Sequence, residues 1–277
     1  MRDAAERRLA VGFFDGVHLG HQAILKGADA ALTFDVHPLD VLAPDRAPRL
    51  LMSLDERVAA IRACGVDEVR VLGFTPELAA TEPEAFLDFI RDFPVVRCGD
   101  NWRFGRSGRG DAAFLRARGF AVEVVPYAEW EGSAVSSSRI RAALGEGRVA
   151  AAAAMLGRPY AVSAPVVAGK GLGRELGYPT LNVAPARPLA LRYGVYAVRV
   201  GTVPAVANYG LAPTLGDAAW REPVLEVHLL GDMADCARAT VTFDAFIRDE
   251  RRFDSLEDLR RQIAADCDFV TKGDYIR

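Results

Sequence analysis

The chain is poor in the features that mark special environments. Only four cysteines occur in 277 residues, Cys64, Cys98, Cys236 and Cys267. They are far apart and form no CxxC pair, so no disulfide framework or cysteine metal site is expected and a reduced, cytoplasmic setting is. No apolar run approaches the roughly 20 residues of a membrane span, and the first residues lack the apolar core of a secretory signal. Neither sign of charge is in excess: 34 basic against 37 acidic residues give a net charge of −3. That leaves no general electrostatic reason to expect nucleic acid or an anionic membrane, and small molecules are the expected partners. Internal repeats and low-complexity tracts are absent, and so is the GxxxxGK[ST] order of a P-loop.

What is present divides in two. Up to about residue 157 extended apolar segments alternate with helical ones: Arg8 to Phe14, Ala31 to Asp35, Glu68 to Phe74, Pro94 to Gly99 and Phe120 to Pro126. This is the α/β pattern of a parallel sheet with right-handed crossovers. Ser53 to Glu56 and Thr81 to Glu84 both fit the capping box of a helix start, and Ser138 to Leu156 reads as one closing helix. Past Gly157-Arg158-Pro159 the texture changes to short strands rich in Gly and Pro: Tyr160 to Ala168, Gly194 to Val200, Val203 to Tyr209, Pro223 to Leu230 and Ala239 to Ile247. Their spacing predicts a small antiparallel barrel. A final helix follows over Leu256 to Val270, with Ser255 as N-cap. The expected domains are therefore residues 1–157 and 158–277.

The most informative run is Val11-Gly12-Phe13-Phe14-Asp15-Gly16-Val17-His18-Leu19-Gly20-His21-Gln22. It places two imidazoles three residues apart where a strand turns into a helix, so they share a face. First-turn amides and nearby glycines make such a turn a seat for phosphate. An isolated HxGH is more often a helix cap or a polar turn, and that reading stays open here. Further polar clusters follow predicted strands, where ligands of open parallel sheets bind. One is Phe34-Asp35-Val36-His37-Pro38. Another is Cys98 to Gly105, with Asn101, Trp102 and Arg103, followed by Gly105 to Gly110 as a candidate lid. Ser136-Ser137-Ser138-Arg139 supplies hydroxyls and a guanidinium at another helix start. In the second half Gly169-Lys170-Gly171-Leu172-Gly173 is either a phosphate-covering loop or a plain turn. Alternation in Val224 to Leu230 puts Glu226 and His228 on one face, where a carboxylate on a rigid strand can serve as general base.

Taken in order, these motifs resemble the bacterial bifunctional riboflavin kinase/FMN adenylyltransferase family, or prokaryotic FAD synthetase. The matches are GFFDGVHLGHQ, FDVHP, GDNWRFG and SSSRIR in the first half, and GRELGYPTLN, YGVYAV, VANYGLAPT, VLEVHLL and FIRDERRF in the second. The resemblance implies an enzyme that phosphorylates riboflavin to FMN and adenylylates FMN to FAD, using ATP and Mg²⁺ and releasing pyrophosphate in the second step.

For the adenylyltransferase half it implies that His18 and His21 contact ATP phosphates. Gly12, Phe13, Asp15, Ser136, Ser137 and Ser138 line or support the nucleotide, Arg139 stabilises charge, and His37 and Asn101 position FMN. For the kinase half it implies Glu226 as general base and Thr180 and Asn182 as holders of phosphate and Mg²⁺. Gly169, Lys170, Gly171 and Gly173 become the nucleotide loop, and Arg248, Glu250 and Phe253 the flavin-side lid. Five departures from the family pattern stand out. The interval from His21 to Thr33 is about two helical turns short, Val36 replaces a proline, Ser138 a threonine and Ala212 an arginine, and Leu181 stands within the PTAN run. They leave a second reading, a riboflavin kinase whose adenylyltransferase half is out of use.

Overall fold

Parallel strands cannot be joined by tight turns, and the crossovers between them fix where the first unit places its loops. In the computed structural model, which describes residues 7–168, 177–211, 223–232, 236–273 and 275, five strands form one parallel sheet. They are β1 (Arg8–Val11), β2 (Ala30–Phe34), β3 (Glu68–Leu72), β4 (Val95–Gly99) and β5 (Ala121–Val125), in the order β3-β2-β1-β4-β5. Winding proceeds outward from β1 to β3, then restarts on the other side with β4. The order thus reverses between β1 and β4, and a ligand crevice is expected beyond their carboxyl ends.

Helices α1 (Leu19–Leu25), α2 (Pro38–Leu42), α3 (Leu54–Ala63), α4 (Pro76–Ala79), α5 (Pro83–Phe86) and α6 (Ala112–Ala117) make the connections. Alternate residues of β1 serve opposite faces: Leu9 and Val11 pack with Ile90, Phe93 and Cys98, while Ala10 packs with Phe14, Leu25 and Ile61. The predicted capping box of α3 forms, with Ser53 Oγ accepting from the Glu56 amide at 3.2 Å and Glu56 accepting from the Ser53 amide at 2.7 Å. The one predicted at Thr81 does not. Pro83 fixes the first helical position of α5, so Glu82 is the N-cap and Thr81 falls one residue too early. The Thr81 hydroxyl donates instead to the Glu77 carbonyl at 3.0 Å.

A hairpin that the sequence reading missed, β6 (Glu129–Trp130) and β7 (Ser133–Ala134), turns through Glu131 and Gly132, at φ 50° and 69°. Two positive φ values in a two-residue loop match the strand twist.

The helix expected over Ser138 to Leu156 is two helices, α7 (Ser137–Gly145) and α8 (Val149–Leu156). They are broken at Gly147, whose φ of 76° and close approach to Phe246, 2.9 Å from where a Cβ would stand, admit only glycine. Both helices group with the second half, α8 lying against barrel strands, so the compact units are Met1–Ser137 and Ser138–Arg277.

The second unit is a closed antiparallel barrel. Its strands are β8 (Tyr160–Val167), β9 (Thr180–Val183), β10 (Gly194–Val200), β11 (Val203–Gly210), β12 (Val224–Leu229) and β13 (Arg238–Arg248), in the order β10-β11-β12-β9-β8-β13. Closure removes the edges that a small sheet would otherwise expose. Val162, Tyr196, Val198, Ala207, Leu225, Val227 and Phe243 fill the interior. Outside, α9 (Leu256–Lys272), capped by Ser255 as expected, lays Cys267 and Val270 on Val195, Ala197 and Val206.

Candidate functional site

In the first unit the turn between β1 and α1 is unusually bent. Phe14, Gly16 and Val17 have φ of 60°, 82° and 39°. For a phenylalanine and a β-branched valine this costs on the order of 1–3 kcal/mol each, sustained only where packing over-determines it. Both side chains are buried, and the Phe14 ring stands edge-on to His21 at 5.3 Å. The Asp15 carboxylate, also buried, is turned onto the backbone of another segment, accepting from the amides of Leu51 at 2.9 and 3.1 Å and Met52 at 3.3 Å. Ser137 Oγ donates to the Asp15 carbonyl at 2.8 Å, which ties the serine run to this turn.

His18 is the N-cap of α1, its Nδ1 accepting from the His21 amide at 3.3 Å. The cap reading and the phosphate reading are therefore compatible: with Nδ1 as acceptor, the neutral ring carries its proton on Nε2, as a donor. The His21 ring stacks on it, centroids 3.6 Å apart and planes 18° apart. Burial first, and the neighbouring His18 second, hold the His21 pKa well below the ordinary imidazole value. His21 Nδ1 is buried without a hydrogen-bond partner among the described residues. Gly20 is needed here, because a Cβ on it would stand 3.2 Å from His18 Cε1 and 3.3 Å from Nδ1.

His37 repeats the device, capping α2 through Nδ1 with the Leu39 amide at 3.1 Å and meeting Phe13 edge-on at 4.8 Å. Asn101 is exposed in the turn after β4, on the other side of the switch point. The Ser138 hydroxyl accepts from Arg141 at 3.2 Å. Arg139 follows on α7, in the second unit. The Gly105 to Gly110 segment, expected as a lid, is a loop closed at its base: Phe104 and Gly110 exchange backbone hydrogen bonds of 3.0 and 2.9 Å, and Gly105 abuts Pro83.

In the barrel, register does the gathering. Glu226 on β12 pairs directly with Asn182 on β9 and Asn208 on β11, and His228 pairs with Thr180. Residues opposite one another in an antiparallel pair share a face, so Thr180, Asn182, Glu226 and Asn208 stand on the outer face while Leu225 and Val227 point inward. Asn208 Nδ2 donates to Glu250 Oε1 at 3.2 Å, and a Cβ on Gly210 would fall 2.0 Å from the Glu250 carboxyl. Arg248 holds the buried Asp266 of α9 through two nitrogens, at 3.0 and 2.7 Å, and Phe253 lies 6.0 Å from its guanidinium. Gly169, Lys170, Gly171 and Gly173 lie outside the described residues, as does Ala212.

Asn208 and Arg57 were not singled out from sequence. The first needed the strand register. The second is fully buried, 4.0 Å over the Phe13 ring, and donates to the carbonyls of Phe34 and Asp35. Among the described residues no cluster of three or more His, Cys, Asp or Glu could hold a metal, and no helix is long and apolar enough to cross a membrane.

Comparison with known families makes the class explicit. The FAD synthetase family model matches residues 1–139 and the riboflavin kinase model residues 156–273, so the chain is a two-domain transferase acting on flavins. It is 36% identical to the bifunctional riboflavin kinase/FMN adenylyltransferase of Escherichia coli (strain K12), over 93% of this chain and 90% of that one. The enzyme of the same name from Pseudomonas fluorescens is 37% identical, over 92% and 89%, and that from Bacillus subtilis (strain 168) 31%, over 95% and 91%. The chain belongs to the bifunctional riboflavin kinase/FMN adenylyltransferase family, with both activities rather than the kinase alone. A solved structure described as a macrolide-efflux protein from Streptococcus pneumoniae has the same fold, with a TM-score of 0.83 at 27% identity, covering 98% of this chain and 95% of its own. The transport role in that description belongs to that protein.

Proposed function

We propose that FMN is adenylylated at the β1–α1 turn and riboflavin is phosphorylated on the outer face of the barrel at Glu226, in domains 1–157 and 158–277. One observation carries the assignment: each unit gathers one polar constellation, the stacked His18–His21 pair in the first and the Asn182–Glu226–Asn208 row in the second.

In adenylyl transfer an FMN phosphate oxygen attacks the α-phosphorus of ATP and pyrophosphate leaves, so no protein nucleophile is needed. His18 and His21 act as preorganised donors to the phosphates, stabilising charge that grows in the transition state. Arg139 adds charge stabilisation from α7. Gly12, Phe13, Asp15 and Ser136 to Ser138 shape the turn, and His37 and Asn101 orient FMN.

In the kinase, the terminal ribityl hydroxyl attacks the γ-phosphorus, and Glu226 accepts its proton as ADP leaves. Thr180 and Asn182, two residues apart on one strand face, offer the oxygen donors that Mg²⁺ prefers and would hold it. When bound, the ion neutralises charge on the ATP phosphates. Arg248, Glu250 and Phe253 border the flavin, and Gly169 to Gly173 the nucleotide. The protein works on small molecules in the cytoplasm, without nucleic acid or membrane.

Separating the flavins formed from riboflavin, and in a second reaction from FMN, with ATP and Mg²⁺ tests the assignment. His21→Ala is expected to stop the chain at FMN and Glu226→Ala to leave only the FMN-to-FAD step. Loss of the opposite step in either variant would overturn it.

A further inference from the structure

The last four carbonyls of a helix have no intrahelical partner and must be satisfied elsewhere. In α1, only seven residues long, these belong to Gln22, Ala23, Ile24 and Leu25. Gln22 O accepts from the Lys26 amide at 2.9 Å and Leu25 O from the Ala28 amide at 3.0 Å. The two between them are taken by a single side chain from the central sheet: Arg97 Nε donates to Ile24 O at 2.9 Å and Nη2 to Ala23 O at 3.2 Å. Its remaining nitrogen, Nη1, is ion-paired with Glu123, the direct cross-strand partner of Arg97 on β5. Glu123 also meets Arg8 Nε at 3.3 Å. The Arg97 side chain is only 16% exposed, so the pair is shielded from solvent on the Arg97 side. A cation at this end also opposes the negative pole of the helix.

We propose that Arg97, held by Glu123, is a positioning residue for adenylyl transfer: it fixes the C-terminal end of a two-turn helix whose N-terminal end carries His18 and His21. A helix this short spans about 10 Å. A shift of its anchored end therefore moves both imidazoles. The side chain from β4 does for α1 what further helical turns would otherwise do, which is why the short interval after His21 still supports the turn. The proposal rests on the reading that His18 and His21 hold ATP phosphates.

The chain has four histidines, so a proton–carbon spectrum of the full-length protein gives four imidazole Cε1–Hε1 signals. Arg97→Met is expected to move those of His18 and His21 and leave those of His37 and His228. It should raise KM for ATP in FMN adenylylation about tenfold while riboflavin phosphorylation by the same molecule is unchanged. Arg97→Lys, which reaches one carbonyl, should fall between, and it carries the comparison if Arg97→Met does not fold. Glu123→Gln should act in the same direction, and the double variant should be no worse than Arg97→Met. If Arg97→Met keeps the ATP dependence and all four signals, with only a lower melting temperature, the brace is overturned. If His21→Ala keeps the wild-type ATP dependence, the site reading is overturned, and the proposal with it.

Discussion

The imidazole rings of His18 and His21 stack at 3.6 Å, and the ring nitrogen of the first takes up the backbone amide of the second. Two rings this close cannot both be protonated at modest cost, and burial already favours the neutral form of His21. The lowered His21 pKa has a definite sign. Just below the ordinary value of 6.5, the unfolded chain binds a proton at this position that the folded chain does not. The contribution of His21 to stability is therefore present at neutral pH and lost as pH falls through about 6.5 toward its own lower value. An imidazole titration followed by NMR should show His21 still neutral at pH 6.5. Adding ATP should raise its apparent pKa, because negative charge nearby favours the imidazolium.

Gly20 separates the two rings in sequence and makes room for them in space. A methyl group there would stand 3.2 Å from His18 Cε1, tighter than an ordinary contact. Gly20→Ala should improve helix propensity yet displace the capping imidazole by a few tenths of an ångström. The expected outcome is a loss of about tenfold in kcat/KM for FMN adenylylation, below the ~100-fold of a 1 Å misplacement. Riboflavin phosphorylation should be untouched. Steady-state rates for the two steps, measured separately on one preparation, check it.

The sequence pattern located ten of the thirteen strands among the described residues, because buried parallel strands and short alternating ones leave strong local signals, and missed the β6–β7 hairpin and the four-residue β9 that carries Thr180 and Asn182. It also anticipated that His18 and His21 stand where a strand turns into a helix and that Glu226 alternates with inward-facing Leu225 and Val227 on a strand. What else it missed depends on neighbours distant in the chain. The break at Gly147 is imposed by Phe246, about 100 residues on. Asn208 joins Glu226 only through the pairing of β11 with β12. Arg97 reads locally as a charge in a strand, and its service to α1 depends on a crossover that brings β4 beside β1. The glycine at position 110 likewise has a reason that composition does not show, since the Phe104 ring packs into the space a side chain there would take.

Arg248 links the end of β13 to α9 through Asp266, which is 3% exposed. Removing the guanidinium leaves that carboxylate with the Gln262 side-chain amide, which donates to it at 2.8 Å. Breaking one half of such a pair typically costs about 3–5 kcal/mol, whereas replacing both halves by apolar groups is often neutral. Arg248→Met should therefore destabilise the barrel by about 3 kcal/mol. Arg248→Met combined with Asp266→Leu should recover most of it. Denaturant unfolding followed at the barrel transition distinguishes this from a role confined to flavin binding, which would alter KM for riboflavin and leave stability in place.

Glu226 offers the sharpest separation of the two chemistries. Its carboxylate stands on a rigid strand between Asn182 and Asn208, with the inward-facing Leu225 and Val227 fully buried on either side, so its backbone cannot move without disturbing the core. Glu226→Gln preserves volume and hydrogen-bonding capacity but cannot accept a proton from the ribityl hydroxyl. General-base catalysis typically contributes about 10²–10⁴-fold, so kcat for riboflavin phosphorylation should fall by at least about 100-fold with little change in KM for ATP. FMN supplied from outside should still be converted to FAD at the wild-type rate, since the first unit contains its own stacked imidazoles. A Glu226→Gln protein with an unaltered kinase rate would remove the general-base role and leave the Asn182–Glu226–Asn208 row as a hydrogen-bonded feature of the strand face.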